Sequence, residues 1–133
     1  MTKGVLQVST KTILIADDSA SMRAMLVSTI EALGEYHIIE ASSGFEALRL
    51  LPRESVDLIL TDINMPDING LELISYLRNN DNYKDIPVVI ISTEGSQKDI
   101  DRGKLLGANE YVTKPFDPAR VQELIRTYLG RNF

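Results

Sequence analysis

Short β-branched runs alternate five times along this chain with stretches of helical period, and that alternation limits the folds open to it. The runs are Thr12 to Ala16, His37 to Glu40, Val56 to Leu60, Val88 to Ile91 and Glu110 to Thr113. Three are almost wholly apolar, in Ile13-Leu14-Ile15, Leu58-Ile59-Leu60 and Val88-Val89-Ile90-Ile91. An apolar run without polar alternation points to burial on both faces, as in the middle of a parallel sheet. The second and fifth runs are more mixed and suit sheet edges. Between the runs, Met22, Met25, Leu26, Thr29, Ile30 and Leu33 recur at three and four, and Gly34 closes that stretch. Val121, Leu124, Ile125, Tyr128 and Leu129 repeat the pattern after Asp117-Pro118, an N-cap followed by a first-turn proline. Gly44 to Leu51, Leu71 to Arg78 and Gln97 to Leu106 read as shorter helices, and Ser96 with Asp99 resembles a capping pair for the last.

This order predicts an α/β fold of doubly wound type: (βα) five times, a five-stranded parallel sheet with right-handed crossovers and helices on both faces. One domain is expected over residues 12–130, with Met1 to Lys11 as a short loose lead-in and no effector domain after Gly130 to Phe133. Composition narrows the function. The chain has no cysteine, which excludes disulfides, thiolate metal sites and a cysteine nucleophile. Its net charge of −5 argues against a nucleic-acid partner, because phosphate contacts need clustered Lys and Arg. No apolar run nears the roughly 20 residues a membrane helix requires, so membrane insertion is not expected and a cytoplasmic setting is the default.

In doubly wound sheets ligands sit beyond the carboxyl ends of the strands. The first run ends in Asp17-Asp18, the third in Asp62, the fourth in Ser92-Thr93 and the fifth in Lys114-Pro115; the second ends in Glu40-Ala41, which carries no obvious chemistry. Taken singly, each is ordinary: a strand-end Asp is most often a turn or cap residue, and Ser-Thr or Lys-Pro is an unremarkable loop. The set carries the information. If the first and third runs are neighbours, three carboxylates converge, and their mutual repulsion calls for a cation. Hard oxygen ligands with no sulfur or imidazole favour Mg²⁺, with Mn²⁺ possible, and a backbone carbonyl from Ile63 or Asn64 could complete the site. Lys114 would add a compact positive charge and Ser92 a hydroxyl. A carboxylate held among these groups is poorly suited as a base and well placed as a nucleophile for phosphoryl transfer.

At this set the sequence resembles the receiver domain of two-component response regulators, and within that family the single-domain chemotaxis regulators of the CheY type. The matching pieces are Ile13-Leu14-Ile15-Ala16-Asp17-Asp18-Ser19 with Met22-Arg23; Asp62-Ile63-Asn64-Met65-Pro66 with Gly70; Ser92-Thr93-Glu94; and Gly107-Ala108-Asn109-Glu110-Tyr111-Val112-Thr113-Lys114-Pro115-Phe116. The resemblance implies strand order 2-1-3-4-5, the flavodoxin-like arrangement. It implies that Asp62 is the phosphoacceptor, and that Asp18, Asp62 and the Asn64 carbonyl ligate Mg²⁺, with Asp17 acting through water. Ser92 becomes a switch hydroxyl, Lys114 a phosphoryl-oxygen ligand, Tyr111 an aromatic switch, and Lys114-Pro115 a cis bond. Asn64 and Glu94 fall where residue types tune dephosphorylation. Thr93 departs from the small residue common in the family and narrows the expected access to Asp62.

The function so implied is a signalling switch. A histidine kinase donates the phosphoryl group, and the face of helix four, strand five and helix five then changes its affinity for a downstream protein, in chemotaxis or motility. The chain would catalyse only its own phosphorylation and dephosphorylation, as a monomer or weak dimer, with no bound organic cofactor. Alternatives are a phosphorelay intermediate or a receiver excised from a larger regulator. Two other classes fit less well. A flavin-binding module would place Asp17 and Asp18 against a phosphate, and an aspartyl phosphatase needs an acid where Asn64 stands. His37, the only histidine, reads as a surface or structural residue; Met22, Met25 and Met65 read as core or loop packing; Arg49, Arg53, Arg102, Arg120 and Arg126 read as solvated faces.

Overall fold

The computed structural model describes residues 10–130. Most of the expected lead-in, residues 1–9, lies outside the described residues. The elements are β1 (Thr12–Ala16), α1 (Ala20–Glu31), β2 (His37–Ala41), α2 (Gly44–Leu50), β3 (Leu58–Thr61), α3 (Gly70–Arg78), β4 (Val88–Ser92), α4 (Gln97–Leu106), β5 (Glu110–Thr113) and α5 (Pro118–Leu129). All strand pairs are parallel and the order is β2-β1-β3-β4-β5, so the mixed runs are the edges. Winding reverses between β1 and β3, and their carboxyl ends lie side by side.

Strand alternation divides each apolar run between two cores. Leu14, Ala16, Ile59 and Ile90 face Ala47, Leu73 and Leu77 of α2 and α3. Ile13, Ile15, Leu60 and Ile91 face Leu26, Ile30, Val121, Leu124 and Ile125 of α1 and α5. The registers carry this geometry to the strand ends. Ala16 pairs with Thr61, so Asp17 and Asp62 are the next residues out. The Asp62 amide donates to the Ala16 carbonyl at 2.9 Å, and the Asp17 amide to the Ala41 carbonyl at 3.0 Å.

Element ends depart from expectation where side chains compete with the ladder. α1 stops at Glu31, ahead of Gly34, because its last turn tightens: Leu33 N–H reaches the Ile30 carbonyl at 2.9 Å. Gly34, at φ 148°, then releases the chain. β3 starts at Leu58, not Val56: the Asp57 carboxylate takes the Thr12 amide at 2.8 Å in place of a strand partner. β2, β3 and β4 each end one residue later than expected, at Ala41, Thr61 and Ser92. α3 starts one residue early, at Gly70, where Asn69 and Glu72 form a reciprocal capping box. α2 gives way at Leu51 to a 3₁₀ turn containing Pro52, which has no amide to continue the helix. Met25 is exposed, not packed, while Met65 joins the core. Among the described residues no helix is long and apolar enough to cross a membrane.

Arg78, at the end of α3, has no counterpart in the sequence reading. Its guanidinium donates to the carbonyls of Gly107 at 3.0 Å, Lys84 at 3.1 Å and Ile86 at 2.8 Å, and to Asn109 Oδ1 at 3.0 Å. Asn109 Oδ1 also accepts from the Val88 amide at 2.8 Å, so one fork ties the α3–β4 and α4–β5 connections together. Burial pulls its pKa below the usual arginine value. Arg78→Met leaves several of these acceptors unpaired, and we expect a loss of about 2–4 kcal/mol. Urea denaturation should show it as a lower midpoint at unchanged m.

Candidate functional site

β1 delivers Asp17 and Asp18, and β3 delivers Asp62. Asp17 and Asp62 are buried, Asp18 is exposed, and one carboxylate oxygen of each lies within 4.8 Å of the others. Lys114, the first residue after β5, reaches past the end of β4. Its Nζ stands 2.9 Å from Asp17 Oδ2 and 3.1 Å from Asp62 Oδ2. The Lys114-Pro115 bond is cis. The remaining carboxylate oxygens of the buried pair rest on backbone: Asp17 Oδ1 accepts from Ser19 N–H at 2.9 Å and Asp62 Oδ1 from Ile63 N–H at 2.7 Å. Two carboxylates are thus oriented from both sides, while Asp18 faces outward.

Three carboxylates against one ammonium leave two negative charges uncompensated in a partly desolvated cleft. The donors are all hard oxygens, so the residues fit Mg²⁺ or Mn²⁺. Of the two carbonyls left open by the sequence, that of Ile63 is taken by Gly70 N–H at 2.8 Å, which favours Asn64. Burial alone would depress the Lys114 ammonium; hydrogen bonds and attraction from Asp17 and Asp62 outweigh it and raise the pKa above the lysine value. The folded pKa exceeds the unfolded one. The ammonium therefore contributes fully below about 10.4, and its contribution fades as pH rises through the raised folded value.

Ser92 is buried at the end of β4, and the Lys114 amide donates to its carbonyl at 2.8 Å. Ser92 Oγ accepts from Glu94 N–H at 3.1 Å, which leaves its O–H free to donate. Tyr111, half-buried on β5, donates its hydroxyl to the Glu94 carbonyl. Its pKa is raised, chiefly by burial. The Glu94 backbone thus joins Ser92 to Tyr111. Thr93, Glu94 and Asn64 are exposed around the cleft.

Two contributors escaped the sequence reading. Arg23 Nη1 donates to the Asp17 carbonyl at 2.6 Å, and its Nε meets Glu40 Oε1 at 3.0 Å. Glu40 therefore has a role after all, anchoring the guanidinium that braces the acid pair. The signal was present: an arginine one turn into the helix after Asp17-Asp18, and an acid at the end of the neighbouring strand. His37, by contrast, lies at the other end of β2, 3.3 Å from Glu54. A cavity of about 450 Å³ at the amino ends of the strands, lined by Leu51, Val56, Tyr83 and Ile86, is remote from the acids.

Comparison with known proteins agrees with this geometry. The family model for the response regulator receiver domain matches residues 13–126. A chemotaxis protein CheY homolog of Campylobacter jejuni is 38% identical over 119 residues, covering 89% of this chain and 92% of that one. Chemotaxis protein CheY1 of Helicobacter pylori is 36% identical over 121 residues, 90% of this chain and 98% of that one. Among solved structures, the chemotaxis protein CheY4 of Vibrio cholerae superposes with a TM-score of 0.83 at 32% identity, covering 91% of this chain and all of that one. With the family match spanning most of its length, this chain belongs to the response regulator receiver domains.

Proposed function

We propose that this chain is a phosphorylation-dependent signalling switch in which Asp62 accepts a phosphoryl group from a histidine kinase. The observation that carries the reading is the meeting of Asp17, Asp18 and Asp62 with the Lys114 ammonium. In the transfer, an Asp62 Oδ forms the new bond to phosphorus as the donor's bond to phosphorus breaks, its electrons leaving with the donor. Lys114 is placed to bind an equatorial phosphoryl oxygen, since its Nζ already lies on Asp62 Oδ2. Asp18, Asp62 and the Asn64 carbonyl would hold Mg²⁺, with Asp17 beside them; the ion supplies charge neutralisation for the transferred group.

The switch follows from the hydrogen bonds around Glu94. A phosphoryl group on Asp62 offers Ser92 a stronger, charge-assisted acceptor. If the hydroxyl turns inward, the Glu94 amide loses its partner. The Glu94 carbonyl shifts with it, and that carbonyl holds the Tyr111 hydroxyl. Tyr111 then repacks, changing the face of α4, β5 and α5 that a downstream protein reads. The similarity to chemotaxis proteins supports an output in chemotaxis or motility. The domain turns over no external substrate in this reading. Asn64 and Glu94 flank the route by which water reaches the phosphoryl group and would set its lifetime.

The deciding experiment is incubation with a small acyl phosphate and Mg²⁺, followed by intact-mass measurement. A single phosphoryl addition, lost on hydroxylamine treatment, is expected. Addition elsewhere than Asp62 overturns the reading. Because Thr93 stands exposed beside the cleft, Thr93→Ala should speed uptake from the same donor by about three-fold, a barrier change under about 1 kcal/mol. An equal rate would show that Thr93 does not narrow access.

A further inference from the structure

We propose that Asp67 is a positioning residue for the metal site, through a lock that fastens the β3–α3 loop to the amino end of α2. The inference rests on the function proposed above. The loop runs from Asp62 to Gly70 and carries Asn64 near its start. Three contacts hold it. At one end Gly70 lies so close to the Asp62 carbonyl that a Cβ would overlap it, and Gly70 N–H donates to the Ile63 carbonyl at 2.8 Å. At the far bend Gly44, the first residue of α2, presses on the Ile68 carbonyl, again leaving no room for a Cβ. Asp67 supplies the third contact: its Oδ1 accepts from Ile68 N–H and, across the gap, from Phe45 N–H at 3.2 Å.

Asp67 is also the sole non-glycine with positive φ among the described residues, at 62°. Side chains rarely adopt that conformation unless surrounding contacts hold them there, and Asp tolerates it because its carboxylate bonds locally. A glycine would meet the backbone requirement more easily, so the carboxylate is what Asp67 adds. It joins the loop to a helix end where another free amide, that of Glu46, is already capped by Ser43 Oγ at 3.0 Å. With both ends of the loop fixed, the Asn64 carbonyl and the Asp62 side chain keep their orientation before any ion arrives. Outer partners that orient ligands in this way commonly govern metal affinity.

Four forms of the full chain test the lock: wild type, Asp67→Asn, Asp67→Gly and Ser43→Ala. Mg²⁺ binding is read by titration calorimetry, amide exchange over residues 63–69 by mass spectrometry, and phosphoryl uptake as a function of Mg²⁺ concentration. Asp67→Gly keeps the backbone conformation but removes the acceptor. It should weaken Mg²⁺ binding about ten-fold, speed exchange across the loop, and leave the rate at saturating Mg²⁺ within about two-fold. Asp67→Asn retains an acceptor and should match wild type. Ser43→Ala loosens the first turn of α2 but leaves the Asp67 acceptor in place, and should weaken Mg²⁺ binding less than Asp67→Gly does. Wild-type affinity in Asp67→Gly, or an equal loss in Ser43→Ala, overturns the proposal. Absence of Mg²⁺ binding by wild type itself overturns the underlying reading and this one with it.

Discussion

Asp62→Asn is expected to lose phosphoryl uptake altogether, by at least about a thousand-fold in rate, while staying folded. The substitution is nearly isosteric. The carboxamide oxygen can keep the bond from Ile63 N–H that Asp62 Oδ1 makes at 2.7 Å. What disappears is the charge and the nucleophilic oxygen. The same change should alter stability in a direction a passive residue would not. Asp17, Asp18 and Asp62 bring carboxylate oxygens within 4.8 Å, and Lys114 offsets only one charge. Removing one carboxylate relieves repulsion, so the variant should melt a few degrees higher than wild type without divalent ions. If Mg²⁺ binds as proposed, it should stabilise the wild type by mass action and the variant less. Intact mass after acyl-phosphate treatment and paired melting curves with and without Mg²⁺ check both parts. Uptake equal to wild type would remove Asp62 as the acceptor.

Lys114→Met separates two functions of one ammonium. Lys114 Nζ is shared between Asp17 Oδ2 at 2.9 Å and Asp62 Oδ2 at 3.1 Å, in a cleft where its side chain is 11% exposed. Methionine keeps the apolar stem and deletes the charge, leaving two buried carboxylates uncompensated. Without divalent ions we expect a loss of about 2–4 kcal/mol, at the low end for a broken buried pair because the cleft opens to solvent. In the proposed function the ammonium and Mg²⁺ would compete for the same oxygens, so Mg²⁺ affinity should rise as phosphoryl uptake falls by about a hundred-fold. These opposite signs are the test. A parallel fall in both would mean that Lys114 only supports the fold. A Mg²⁺ titration and the rate of acyl-phosphate uptake, read beside a melting curve, tell the two apart.

Much of the site could be read in advance because each residue ends a recognisable run: Asp17 and Asp18 after β1, Asp62 after β3, Ser92 at the end of β4, Lys114 after β5. Helix caps aside, contacts between a side chain and distant backbone could not be read. Arg78 binds three carbonyls, and carbonyls leave no trace in residue identity. Glu40 looked inert at the end of an edge strand until its partner, Arg23, came against it from α1. Ser92 Oγ accepts from the Glu94 amide, a backbone group whose approach the residue order does not reveal. A short polar side chain in a turn bonds whichever backbone group the turn presents.

Residue order alone determined the kinds of elements and which strands are central. Those follow from local rules: a period of two or of three to four, and the burial that an unbroken apolar run demands. Only the tertiary structure decided which strand ends are neighbours. The pairing of Ala16 with Thr61 sets Asp17 beside Asp62, and the order of strands lets Lys114 span the end of β4 to reach them. A slip of one residue in that register would turn Asp62 to the opposite face of the sheet. Such registers are chosen by the packing of two whole cores, a long-range energy that no window of sequence contains.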